Sequence, residues 1–339
     1  MFKTGLFPGP GGKGNFKKYP VWDGRYCYDA WIEPCVAAGH QVHKYLAKGI
    51  IRNAFVADID PKVAATWQVW STPSLRSEVA ERINRLSYRL LSDPVGVYEE
   101  MKAIIDGDST NAVEIAVASL VGRQFVFGNT LRSNAKGQLN VCASKDKTRS
   151  LLRRSGVVGE HPQLNPGLLE QLNKGWRFEM PYFDSRWNVN WSANAHACID
   201  AFEASSHQCA IAFFDPPYWV ARGSRPGRRG TGALTPAYTH HGDPQGDDLF
   251  TLCVSVLERL LSNPNIERVV MTNYVSPQII KAVEAMDKGG LPWQLTSLGT
   301  LATMNNGYER DDCPMEGFWE FGGSMMLGRH RQQNLFEVA

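Results

Sequence analysis

The stretch AFFDPPYW, residues 212–219, places an aspartate, two prolines and two aromatic residues directly after a hydrophobic run. Such a run is typical of a buried strand, and ligands of open α/β sheets bind beyond the carboxyl ends of the strands. Pro216 and Pro217 fix φ and disfavour the α conformation at the residue before each of them. The pattern predicts that the carboxylate of Asp215 and the carbonyl of Pro216 point rigidly out of a sheet, beside the ring of Tyr218.

These groups suit a planar ring that carries an exocyclic amino group. Asp215 and the Pro216 carbonyl would accept its two N–H bonds while Tyr218 stacks on the ring. Such a nitrogen is a poor nucleophile while its lone pair is conjugated, and two acceptors stabilise the positive charge that develops as it attacks. The chemistry indicated is attack of a base amino group on an activated methyl group.

Strand and helix patterns alternate on both sides of a long helical stretch. Buried strands are predicted in AWIEP, NAFVADID, WNVNW, CAIAFFD, IERVVMTN and WQLTSLGTLA, with helical spacing between them. Residues 71–180 show helical spacing followed by a polar, basic segment. The alternation predicts a parallel α/β sheet with a mainly helical insertion. The predicted divisions are 1–70 and 181–328, the two halves of the sheet domain, the insertion 71–180, and a flexible tail, 329–339.

Composition places the chain among ordinary globular proteins, with 339 residues, 43% of them hydrophobic and 21% charged. We find no signal peptide and no apolar run long enough to cross a bilayer. The seven cysteines form no CxxC pair, so the sequence indicates neither a zinc site nor a disulfide framework. We expect a cytoplasmic protein with reduced thiols, no metal and no membrane partner.

Basic residues concentrate in two parts of a chain whose net charge is only +2. Eight lie between Arg123 and Arg154 against a single acid, and four arginines lie between Arg222 and Arg229. A local excess of positive charge is typical of a surface that binds a polyanion. A solvated basic surface with no partner is the alternative.

The tetrapeptide DPPY matches the (D/N)PPY signature of amino-methyltransferases that use S-adenosylmethionine, and other blocks resemble the Dam-type (alpha group) DNA adenine-N6 methyltransferases. PGGKGN is similar to that family's N-terminal block, IEPCVAAG to its cofactor loop, VADIDP to its second acidic block and LRSNAKGQLNV to its DNA-recognition stretch. The resemblance covers about residues 4–322. It implies an S-adenosylmethionine-dependent methyltransferase fold: a seven-stranded Rossmann-like α/β sheet with an inserted, mainly helical target-recognition domain.

The resemblance also implies a methyl donor, S-adenosylmethionine, and an acceptor, N6 of an adenine flipped out of duplex DNA. Residues 1–70 would then bind the cofactor, and residues 181–328 would carry DPPY. By this match Asp58 binds the ribose hydroxyls, and Asn194 stands where the family has an acid that contacts the cofactor adenine. Cys35 and Ala37 replace a phenylalanine and a glycine. The implied catalytic residues are Asp215, Pro216, Pro217 and Tyr218, and the implied cofactor-binding residues are Gly12, Lys13, Glu33, Pro34, Cys35, Ala37, Gly39, Asp58, Ile59, Asn194, Ala195 and Asp215.

Base flipping requires a grip on the DNA backbone, which the two basic clusters could supply. Arg132 is predicted to contact a base, because arginine matches the major-groove edge of guanine bidentately. Asn134 and Asn140 suit a hairpin turn better than a base contact. The segment RGSRPGRRG predicts a mobile loop that orders over DNA. The predicted DNA-binding residues are Arg132, Asn134, Lys136, Asn140, Lys145, Lys147, Arg149, Arg222, Arg225, Arg228, Arg229 and Tyr238.

The C-terminal segment QQNLF resembles the short motif with which bacterial replication and repair proteins bind the sliding clamp. A glutamine and two apolar anchors, Gln332, Leu335 and Phe336, could fill a hydrophobic groove on such a partner. A tail that folds back on the core is the alternative.

Two other functions are left open. The same tetrapeptide serves N4-cytosine and RNA base methyltransferases, which nucleoside analysis of the product would distinguish. Ala37 and Asn194 would suit a catalytically weak DNA-binding regulator, which would show no saturable cofactor binding. The sequence also leaves open whether the enzyme is an orphan methylase or part of a restriction-modification pair, and whether it is encoded by a bacterium, a plasmid or a phage.

Overall fold

The computed structural model describes residues 5–7, 21, 28–125, 131, 139, 166–217, 247–287, 291–300 and 315–322. Within these ranges, strands and α-helices alternate on both sides of a helical stretch. In chain order the elements are β1 Ala30–Glu33, α1 His40–Ala47, β2 Asn53–Ala57, α2 Pro61–Ser71, α3 Pro73–Ser92, α4 Pro94–Asp106, α5 Ala112–Gly122, a 3-10 turn Arg123–Phe125, α6 Pro166–Asn173, β3 Asn188–Ser192, α7 Ala195–Glu203, β4 Ala210–Phe214, α8 Asp247–Ser262, β5 Ile266–Tyr274, α9 Pro277–Ala285, β6 Trp293–Thr300 and β7 Met315–Gly322.

The strands form one mixed sheet in the order β3-β2-β1-β4-β5-β7-β6. Strands β1 to β5 are parallel, whereas β7 runs antiparallel to both β5 and β6. The chain builds outward from β1 to β3 and then returns to add β4 on the other side of β1. This reversal between β1 and β4 is a topological switch point, where open α/β sheets bind ligands beyond the carboxyl ends of their strands.

Each face of the sheet packs against its own hydrophobic core. Trp31, Phe213 and Phe318 belong to one core, together with residues of α1 to α6. Their strand neighbours Ile32 and Phe214 face the other core, together with residues of α7, α8 and α9. Because both faces are covered, β1 and β4 are buried at every position, which explains why β4 is apolar throughout and β1 is apolar up to its last residue, Glu33.

Helices begin where the sequence supplies caps and prolines. Pro61, Pro73 and Pro94 each stand in the first turn of a helix, where their missing N–H costs nothing. Asp60 and Asp93 accept backbone N–H bonds of the helices that they precede. Each of the helices α2, α3 and α4 therefore begins at a proline, and the three follow one another with no strand between them.

Helix α5 lies deep inside the helical stretch. Eight of its 11 residues are buried, and it packs against α2, α3 and α4. A helix that is apolar on all sides is one that the core surrounds. The helical stretch and one face of the sheet therefore share a single continuous core.

The predicted α/β fold with a seven-stranded sheet and helices on both faces is confirmed. Across the described ranges, no helix has the length and apolar character needed to span a membrane.

Candidate active site at the switch point

Polar side chains follow each of the first four strands at one edge of the sheet. Glu33 is the last residue of β1, Asp58 follows β2, Asn194 lies just after β3, and Asp215 follows β4. Because β1 to β4 are parallel, their carboxyl ends meet at this edge. Four residues that the sequence predicted for catalysis or cofactor binding, Glu33, Asp58, Asn194 and Asp215, therefore lie along the same edge of the sheet.

Asp215 is held by the neighbouring strand. The Thr272 hydroxyl of β5 donates a hydrogen bond to Asp215 Oδ1, and Thr272 is fully buried. After Asp215, Pro216 is buried and Pro217 is half-buried. Pro217 is the last described residue of this part of the chain, so Tyr218 lies outside the described ranges. The carboxylate is therefore fixed from the sheet side and followed by a backbone that the prolines restrict.

The loop after β1, residues 34–39, contains two left-handed residues. Ala37 has a φ of 44°, and Gly39, which caps α1, has a φ of 62°. The backbone of Ala37 is bonded on both sides: its N–H donates to Asp58 Oδ2 and its carbonyl accepts from Trp67 Nε1, each over 2.9 Å. A methyl carbon on Gly39 would lie only 2.1 Å from the Trp67 ring. Close packing therefore requires glycine at position 39, whereas position 37 is exposed and holds an alanine.

Asp58 joins this loop to β2. Besides the bond from Ala37, Asp58 Oδ1 accepts from the N–H of Asp60 over 2.9 Å. A carboxylate has about four lone-pair sites, so it can accept several hydrogen bonds at once. The next residue, Ile59, exposes 46% of its surface. An apolar side chain beside a fixed carboxylate suits a nucleoside, with its base against Ile59 and its ribose against Asp58.

Glu33 is a buried acid in this site. Only 2% of its surface is exposed, and the Trp31 indole N–H donates to its Oε2 over 2.8 Å. Burial raises the pKa of Glu33 well above its ordinary value, and the nearby negative charge of Asp215 raises it further, against the effect of the Trp31 bond. A cation close to both acids would oppose this effect, because an opposite charge favours the ionised form of a carboxyl.

Asn194 is the N-cap of α7. Its Oδ1 accepts from the N–H of Ala197 over 2.9 Å, and its surface is exposed. The side-chain amide can offer its N–H₂ donors to a ligand, whereas an ionised aspartate at this position would offer acceptors alone. Ala195, the first residue of α7, is buried and packs in the core.

Pro34 is buried and Cys35 is partly buried at the start of the loop. Burial raises the pKa of the Cys35 thiol well above its ordinary value, and the charge of Asp58 adds to this effect. The thiol therefore stays protonated at neutral pH, which agrees with a role in packing and not in nucleophilic attack.

An arginine of the helical stretch contacts the segment 5–7, which is bonded to the same loop. Arg123 is 4% exposed, and its guanidinium lies 3.9 Å from the centre of the Phe7 ring. The segment 5–7 is in turn bonded to the loop, because the N–H of Leu6 donates to the Ala38 carbonyl over 2.8 Å. Burial lowers the pKa of Arg123 to about 10, although the charges of Asp60 and Asp58 oppose the shift.

Three residues around the site make contacts that the sequence did not predict. Thr272, Trp67 and Trp31 contact Asp215, the loop and Glu33 respectively. Trp31 lies two residues before Glu33, so its presence on the same face of β1 follows from the strand period. The other two contacts depend on how distant elements pack.

Other predicted site residues lie outside the described ranges, and so does the loop RGSRPGRRG. They are Gly12, Lys13 and Tyr218, the DNA-binding residues Arg132, Asn134, Lys136, Asn140, Lys145, Lys147, Arg149, Arg222, Arg225, Arg228, Arg229 and Tyr238, and the tail residues Gln332, Leu335 and Phe336. Among the residues that the structure does describe, no group of three or more His, Cys, Asp or Glu side chains could hold a metal ion.

The strand order, the single antiparallel strand and the inserted helices together give the seven-stranded α/β fold that the sequence predicted. Neither a protein-family model nor a curated protein matches the sequence. Among solved structures, the chain is similar to an rRNA methylase from Streptococcus thermophilus, with 10% identity and a TM-score of 0.31, over 91% of this chain and 94% of that chain. It is also similar to an rRNA methyltransferase from Streptomyces viridochromogenes, with 10% identity and a TM-score of 0.30, over 88% of this chain and 78% of that chain.

Proposed function

We propose that this protein transfers a methyl group from S-adenosylmethionine to N6 of an adenine that is flipped out of duplex DNA. The observation that carries the proposal is the position of Asp215. Its carboxylate stands at the switch point, next to the strand that ends in Glu33, and is followed by two prolines. The tetrapeptide DPPY in this place matches the signature of the amino-methyltransferases.

The described residues fit S-adenosylmethionine by their chemistry. The methionine portion of this donor carries a sulfonium and an ammonium, which suit the carboxylates of Glu33 and Asp215. The ribose hydroxyls suit the carboxylate of Asp58, and the adenine suits the exposed side chain of Ile59 and the amide donors of Asn194. When bound, the donor supplies an activated methyl group attached to a positively charged sulfur.

Asp215 would act on the target base by accepting one of its amino hydrogens. As the nitrogen forms its bond to the methyl carbon, the bond between that carbon and the sulfur would break and its electron pair would pass to the sulfur. Positive charge develops on the amino group, and a fixed carboxylate stabilises that charge. One amino proton would then pass to solvent, so the products are a neutral methylated base and a neutral thioether. The Pro216 carbonyl would accept the second hydrogen and Tyr218 would stack on the ring, as the sequence predicts for these residues.

The test is transfer of labelled methyl from S-adenosylmethionine to unmethylated bacterial DNA, followed by analysis of the nucleosides. We expect N6-methyladenine from the parent protein. For Asp215→Ala we expect a loss of about 10²–10³-fold in kcat, the cost of removing one electrostatic stabiliser from a transition state. Glu99→Ala is the matched control, because Glu99 is an exposed carboxylate of α4, away from the strand ends.

The other outcomes have definite meanings. N4-methylcytosine in the product would indicate that cytosine is the target base. Label found only in RNA would indicate that the substrate is RNA. An Asp215→Ala variant as active as the Glu99→Ala control would refute the role given to Asp215. An absence of both transfer and saturable S-adenosylmethionine binding, with DNA binding intact, would favour the regulator.

A further inference from the structure

The side chain that supports Asp215 is fixed more firmly than Asp215 itself. Thr272 is fully buried, whereas Asp215 is half-buried at the edge of the sheet. Its hydroxyl donates to Asp215 Oδ1. The contact joins residues that are 57 positions apart in the chain, so it depends on the tertiary structure alone.

The sheet holds Thr272 from both sides. In the parallel pairing of β4 with β5, Phe214 lies opposite Met271, which brings Asp215 next to Thr272. On its other side β5 pairs with β7, where Thr272 lies opposite the buried Phe318. Threonine is β-branched, so its side-chain rotamers are restricted in a strand. The direction of the hydroxyl is therefore set by the sheet and not by the ligand.

A neutral donor is well suited to this position. A lysine or arginine would also hold the carboxylate, but its positive charge would oppose a cationic methyl donor and the charge that develops on the base nitrogen. The hydroxyl donates to Oδ1 without adding a charge to the site.

We propose that Thr272 is a positioning residue for the methyl-transfer reaction, which orients the Asp215 carboxylate toward the amino group of the target base. This inference rests on the proposed function. It assigns to the threonine of VVMTNY a specific task, in which the hydroxyl is required and the methyl group is not.

Two substitutions separate this task from simple packing. Thr272→Val keeps the shape of the buried side chain and removes the hydroxyl. Thr272→Ser keeps the hydroxyl and removes a buried methyl group. If Thr272 served only the core, valine would be accepted and serine would be the more damaging change, because it leaves a small cavity. A positioning role predicts the reverse order in the reaction rate.

The experiment measures kcat, and KM for S-adenosylmethionine, for the parent, Thr272→Val and Thr272→Ser with unmethylated DNA, together with their melting temperatures. We expect kcat to fall about 10–100-fold in Thr272→Val, as for loss of a group that orients a catalytic side chain, while KM changes less than about threefold. We expect Thr272→Ser to keep kcat within about threefold of the parent, even where its melting temperature is the lower of the two.

Equal kcat in Thr272→Val and the parent would overturn the inference while leaving the proposed function intact. The same conclusion would follow if kcat fell as far in Thr272→Ser as in Thr272→Val. If the parent transferred no methyl group to any nucleic acid, the proposed function would fail first, and the role of Thr272 would fail with it.

Discussion

In the loop after β1, substitutions at two positions only two residues apart should have opposite effects on stability. Ala37 and Gly39 both adopt left-handed backbone angles. At position 39 a methyl group would lie 2.1 Å from one atom of the Trp67 ring and 2.7 Å from another. Trp67 is 1% exposed, so the ring has no space into which to move. At position 37 the side chain is exposed and no such contact arises.

The magnitudes follow from these surroundings. Gly39→Ala adds a left-handed penalty of about 1–2 kcal/mol and an overpacking cost of about 1–3 kcal/mol. The lower entropy of the unfolded alanine chain offsets about 0.4–1 kcal/mol. We expect the free energy of unfolding to fall by about 1–4.6 kcal/mol. Ala37→Gly removes the left-handed penalty but loses the entropy advantage of alanine, so we expect a gain of about 0–1.5 kcal/mol.

Urea denaturation of the two variants and the parent measures these differences, and calorimetric titration with S-adenosylmethionine measures their effect on the site. Displacement of Trp67 in Gly39→Ala would break its bond to the Ala37 carbonyl, so we expect this variant to bind the cofactor more weakly than the parent. Ala37→Gly keeps that bond and should bind at least as well. The reasoning is refuted if Gly39→Ala is within 1 kcal/mol of the parent, or if Ala37→Gly is destabilised by more than about 1 kcal/mol.

Two further predictions concern the other strand ends. Asn194→Asp keeps the cap of α7 and adds a negative charge at a helix N-terminus, so we expect a gain of about 0.3–1 kcal/mol and tighter S-adenosylmethionine binding, whereas Asn194→Ala should lose about 0.5–2 kcal/mol. Chemical denaturation and titration check both, and equal stability of the aspartate and alanine variants would contradict the capping role. The pKa of Glu33 is raised in the folded state, so the folded protein holds the proton of this carboxyl more tightly than the unfolded chain does. The contribution of Glu33 to the free energy of unfolding is therefore fully present below the ordinary pKa of 4.5 and is lost as pH rises through the folded-state pKa. Melting curves of the parent and Glu33→Gln from pH 4 to pH 8 should therefore show the variant gaining on the parent as pH rises, and a difference independent of pH would argue against a buried, strained carboxylate.

The sequence was sufficient to predict the sheet because its signals are local. The apolar run before Asp215 became β4, and Pro61 stands in the first turn of α2, where proline is favoured. Family-like blocks also located Glu33, Asp58 and Asp215, which lie at neighbouring strand ends because parallel strands align their carboxyl ends. Spacing along the chain was enough in these cases, since each residue directly follows the strand that positions it.

Contacts between distant segments could not be predicted in the same way. The bond from Thr272 to Asp215 depends on the register between β4 and β5, which no local pattern specifies. The left-handed angle of Ala37 is unusual for alanine and is compensated by Asp58 and Trp67, 21 and 30 residues away. Asn194 is a different case, because an asparagine directly before a helical run is a local cap signal that could have been recognised alongside the cofactor block.

Helix α5 has a practical consequence for protein engineering. A chimera made by exchanging residues 71–180 for the insertion of another protein would be cut between α2 and α3. That junction passes through one hydrophobic core, because α5 is buried against α2 as well as against its own neighbours α3 and α4. Domain exchange succeeds where few contacts cross the boundary. A transplantable unit would instead begin before Asp60 and include α2 to α5, so that the packing of α5 against α2, α3 and α4 stays within the exchanged segment.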